Sequence, residues 1–129
     1  MQKITHLSLK LKVFSWVYTI AYATFIFYLS DQPSIPSIIE LPLLDKFLHT
    51  IEYAIFGFLL MRAFKNSGFN LDSKTIFSFS VILGFVYGIS DEIHQAFVLN
   101  RTASIIDALF DLIGASLGAY FLYDTYKTI

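Results

Sequence analysis

Residues 76–95 read IFSFSVILGFVYGISDEIHQ: fourteen residues without a charge, 76–89, run into two adjacent acids, a histidine and a glutamine. At 1.5 Å per residue the uncharged part covers about 21 Å, short of the roughly 30 Å of hydrocarbon in a bilayer. It reaches membrane length only when Asp91 and Glu92 are counted within the helix. The acids therefore belong to a span and do not merely flank one.

Composition agrees. The 129-residue chain is 56% hydrophobic and 18% aromatic but only 15% charged, with a mean hydropathy of +0.63. That leaves too little polar surface to cover a domain in water. The length fits one domain, residues 1–129. A net charge of −1 offers nucleic acid no broad attraction. The absence of cysteine excludes disulfides, thiol catalysis and thiolate metal sites.

Working outward, residues 13–29 (VFSWVYTIAYATFIFYL) form the plainest span. Pro33, Pro36 and Pro42 follow and are expected to stop a helix. A cleaved signal peptide is the competing reading, but no small-x-small site follows, which favours a retained helix. The second and fourth spans repeat the oddity of the third: each reaches membrane length only by including polar residues. The second includes His49 and Glu52; the fourth includes Asp107 and Asp111, because residues 112–123 alone cover about 18 Å. An all-α, four-helix transmembrane bundle results, with spans near 12–30, 46–64, 75–98 and 104–123.

Lysine and arginine give an orientation. Lys3, Lys10, Lys12, Arg62, Lys65, Lys74 and Lys127 fall on one side and only Lys46 and Arg101 on the other. By the positive-inside bias both termini are expected in the cytoplasm. Trp16, Tyr18, Tyr28, Tyr120 and Tyr123 sit near span ends, as interfacial anchors do.

This topology gathers the polar groups in the outer half of the bundle. Asp45, His49, Tyr53 and Gly57 share one helical stripe. Gly84, Gly88, Asp91/Glu92 and Gln95 form another, and Asp107, Asp111, Gly114 and Gly118 a third. Gly84-x-x-x-Gly88 and Gly114-x-x-x-Gly118 have the spacing of close helix contacts, so an open polar mouth is expected above a packed floor. Plainer roles compete: Asp45 fits an N-cap, and Ser104-x-x-Asp107 fits a capping box. Asp91 and Glu92 approach a helix C-terminus, where anions are disfavoured, and so need a cation, proton or metal. His94 fits an interfacial position. Glu52 lies one residue off its stripe and fits a face toward another helix.

The motifs also carry a resemblance. Asp45-Lys46-x-x-His49-x-x-x-Tyr53, then Tyr87-Gly88-x-Ser90-Asp91-Glu92-x-His94-Gln95, Phe97-Val98, Arg101, and Asp107 with Gly114 and Gly118, resemble the VanZ-like membrane proteins. Ser30-x-Gln32-Pro33 resembles that family's first loop. Leu99-Asn100 stands where the family often carries Pro-Gly, and Asp111 where many relatives carry asparagine. The family is named for a protein conferring low-level resistance to the glycopeptide teicoplanin; an antibiotic acting at the outer membrane face is compatible with an outward site.

The leading expectation is an enzyme acting on a phosphate-containing membrane-lipid headgroup. His49, Asp91, Glu92 and Asp107 are the candidate catalytic groups, with His49 as base or nucleophile. Lys46, Tyr53, Gln95 and Arg101 are the candidate substrate-binding groups, Arg101 through a bidentate fork. Asp91, Glu92 and Asp107 are the expected ligands of a divalent metal ion, with Asp45, Ser90 and Asp111 in support. The alternatives are a non-catalytic protein that binds a lipid-linked cell-wall precursor or glycopeptide, and a polar network that only fixes helix packing. Transport is disfavoured, because the polar stripes stop mid-bundle.

Overall fold

The computed structural model describes the backbone of residues 2–33 and 42–128 and the side chains of residues 8–33 and 43–126. Four helices account for nearly all of it: α1 (Gln2–Ser30), α2 (Pro42–Asn66), α3 (Ser73–Gln95) and α4 (Ile105–Thr128). There is no strand among the described residues. All four helices are long and apolar enough to cross a membrane. Large apolar side chains such as Phe25, Ile82, Ile93 and Phe121 point outward, the reverse of a water-soluble bundle.

The helix ends follow local chemistry. Pro33 lies just past the end of α1, as expected. Pro42, however, opens α2, because a residue without an N–H costs nothing at the first helical position. Pro36 lies outside the described residues. Asp72 caps α3, its carboxylate accepting the N–H groups of Lys74 and Thr75 at 2.9 and 3.0 Å. The third helix stops at Gln95, a few residues short of its expected end, and 96–104 make a tight return. Asn100 takes φ 59° there, a left-handed conformation that asparagine tolerates better than most residues.

The core is asymmetric. Helix α4 lies against α2 and α3, whereas α1 rests on α2, touches α3 sparsely and does not meet α4 among the described residues. Glycine sets the closest contacts. A Cβ on Gly118 would come within 2.6 Å of the Ala54 carbonyl carbon, and one on Gly84 within 2.8 Å of the Ala115 Cβ. Both small-residue motifs thus mark real helix crossings. Trp16 also ties α1 to the end of α2: its Nε1 donates to Ser67 Oγ at 2.8 Å, and its ring meets Phe64 edge-on.

Candidate functional site

The three polar stripes converge at the end of the bundle opposite the two termini. His49 on α2, Asp91, Glu92 and Gln95 on α3, and Asp107 and Asp111 on α4 are all buried. Each helix supplies its groups on one face, as the four-residue spacing requires.

Specific bonds decide what each group is free to do. Lys46 forms an ion pair with Asp107 and a second with Asp45 at 3.2 Å. It thus straps α2 to α4. His49 Nδ1 lies 2.8 Å from Asp111 Oδ1. Gln95 donates to Asp91 Oδ2 at 2.9 Å. Ser104 caps α4 by accepting the Asp107 N–H at 3.2 Å. The return bond of a capping box is made by Glu92, whose Oε2 accepts the Ser104 N–H at 2.8 Å. That exchange leaves the Asp107 carboxylate to Lys46.

Several expected residues stand elsewhere. Asp45 is inside the first turn of α2, not at its N-cap, and is exposed. Ser90 is exposed and donates to its own helix at the Tyr87 carbonyl, 2.7 Å away. Tyr53 is buried beneath the site in an apolar cluster with Ile26, Phe56 and Leu60, and its hydroxyl has no partner among the described residues. His94 stacks on Phe27, ring centroids 4.4 Å apart, and places Nε2 3.2 Å from Asp31. It ties the end of α3 to α1, outside the cluster.

A cleft of about 410 Å³ opens beside these groups, between α1 and α2. Its inner wall carries His49, Glu52, Asp91, Gln95 and Arg101. Its rim is mostly apolar, from Phe25 and Leu29 on α1 to Leu48, Ile51 and Ile55 on α2, with the exposed Asp45 beside them. Arg101 is half-buried and joins no ion pair among the described residues. Two cleft residues lie beyond the expected site. Both line the cleft, and Glu52 Oε1 and Ser30 Oγ are buried with no hydrogen-bond partner among the described residues. The face of Glu52 toward α1 is the trace of the former; the first-loop motif beginning at Ser30 is that of the latter.

Residues 2–126 match the family model described as VanZ/LLP1. The chain belongs to that family. No curated protein and no solved structure matches it. Within this VanZ/LLP1 chain, the expected metal trio Asp91, Glu92 and Asp107 does not gather as a ligand set. Among the described residues the groups close enough to share an ion are Asp45, His49 and Asp107, and His49, Glu92 and Asp111. Asp91 is held by Gln95, and Asp107 by Lys46. The end of the bundle nevertheless carries more carboxylates than cations, an imbalance that a low-dielectric setting tolerates only with protons or a bound cation.

Proposed function

We propose that this chain is a membrane enzyme that takes a phosphate-bearing lipid headgroup into the cleft between α1 and α2 and hydrolyses it at the extracytoplasmic surface. The observation that carries this reading is Arg101: a half-buried guanidinium that joins no ion pair among the described residues, on the polar wall of a cleft whose rim is mostly apolar. A lipid matches both halves. Its phosphate engages Arg101 through two parallel N–H···O bonds, and its chains stay against Phe25, Leu29 and Ile55.

His49 faces the same cleft, held by Asp111. Water attacks phosphorus, the ester P–O bond breaks, and the water's proton passes to the pole made by His49, Asp111 and Glu92. Glu52 or Asp91, on the same wall, returns a proton to the leaving oxygen. The excess of lysine and arginine on the opposite side supports an outward site with cytoplasmic termini.

The test is release of phosphate or headgroup from a panel of phospholipids and polyprenyl phosphates by detergent-purified protein. Turnover is expected to fall at least about 100-fold in Arg101→Ala, and in His49→Gln, whose amide can still donate to Asp111, while the melting temperature holds. Folded wild-type protein that releases nothing from any lipid would overturn the enzymatic reading. Retained lipid binding in that case would support a binding protein instead.

A further inference from the structure

The buried pole behind the cleft has its own unexplained feature. Glu92 and Asp111 are 5% and 0% exposed, yet Glu92 Oε1 and Asp111 Oδ2 have no hydrogen-bond partner among the described residues. A carboxylate oxygen buried without a partner costs free energy comparable to a lost charged hydrogen bond, so something must satisfy it. A cation bound between them would satisfy both oxygens at once.

We propose that His49, Glu92 and Asp111 bind one divalent transition-metal ion, of the Zn²⁺ or Mn²⁺ class. Each comes from a different helix, all three are buried, and their ligand atoms lie within 4.8 Å of one another. His49 Nδ1 and Asp111 Oδ1 already face each other at 2.8 Å, so both atoms are aimed at the same point between the helices. The ion takes the place of the proton between them.

Three further features fit. The Ser104 N–H fixes Glu92 Oε2 at 2.8 Å and thereby aims the carboxylate. Gly88 leaves room for Asp111: a Cβ there would lie 2.9 Å from Asp111 Oδ2. With a neutral imidazole, two carboxylates and a dication sum to zero charge, the arrangement that burial favours. One imidazole nitrogen with two carboxylates suits a borderline transition metal better than calcium or magnesium, which prefer all-oxygen shells. The competing trio is weaker, because Lys46 already neutralises Asp45 and Asp107.

The proposal rests on the hydrolytic reading above and revises its proton acceptor: an ion held by His49, Glu92 and Asp111 would acidify a bound water, in place of the three side chains taking the water's proton. Its test needs no lipid, so it fails or succeeds independently of that reading. Chelator-treated protein in detergent is titrated with Zn²⁺ and with Mn²⁺ by calorimetry. One equivalent of at least one of them is expected to bind, at least about 100-fold more weakly in Glu92→Gln and Asp111→Asn, with Asp45→Asn unchanged. Affinity also falls with pH as the ligands take up protons. X-ray absorption spectroscopy on the loaded wild-type protein covers the case in which a variant does not fold; it should report one imidazole among oxygen ligands. No binding of either ion, a shell without imidazole, or loss in Asp45→Asn with Glu92→Gln intact would overturn the assignment.

Discussion

Helix α2 meets its neighbours in two different ways. Against α4 it packs through backbone: Gly114 and Gly118 lie on Thr50 and Ala54, and Gly57 lies on Ala115. Against α1 it packs through bulk: Tyr22, Phe25 and Leu29 face Leu48, Ile51 and Ile55 and leave a cleft between them. Lipid supplies no hydrophobic drive for helices to associate, so close contact depends on small residues, and large side chains become the means of keeping space open. The glycine side holds the polar groups in register; the aromatic side gives them an entrance.

The largest expected effect breaks the tight side. Gly118→Val drives side-chain atoms into the Ala54 carbonyl and should destabilise the bundle by about 3 kcal/mol, read as a fall in unfolding midpoint in detergent. Next is the strap at the same interface. Lys46→Ala leaves Asp107 buried without its cation and should cost about 2 kcal/mol, discounted from a fully buried pair because Lys46 is partly exposed. A second change, Asp107→Asn, should recover most of that loss; no recovery would mean that Lys46 acts through something other than the pair.

On the open side, Phe25→Ala removes a half-exposed rim residue. It should change stability by less than about 1 kcal/mol while altering which lipids bind or turn over. A large loss of stability there would erase the distinction between the two interfaces. The smallest effect lies outside both. Asp72, beyond the span, is held below the usual carboxylate range by the Thr75 hydroxyl and N–H. Its cap stabilises fully above the ordinary aspartate value of about 3.9 and is lost as pH falls through the lowered folded value. The gap in melting temperature between wild type and Asp72→Ala should therefore close on acidification.

The sequence made the tight side legible and the open side nearly invisible. Four-residue spacing put His49, Asp91 and Asp111 on facing stripes, and glycine spacing marked both crossings, because each is periodic along one helix. Helix α1 carries apolar residues all round, so nothing in its pattern singled out Phe25 or Leu29 as a wall. Pairing across helices was equally hidden. Whether Lys46 meets a ligand or Asp107, and whether Glu92 answers Ser104, depends on helix rotation that no single helix encodes. Ser90 shows the limit of a motif: it stands beside two buried acids, and one residue of rotation turns it outward.

The central claim is that the cleft between α1 and α2 receives a lipid whose phosphate meets Arg101. Cross-linking with a photoactivatable anionic phospholipid, mapped by mass spectrometry, tests it directly. Adducts should concentrate on Phe25 and Ile55 and disappear in Arg101→Ala, while Phe121, an exposed residue on α4, stays at background. Equal labelling of Phe121 and the cleft, unchanged by Arg101→Ala, would contradict it.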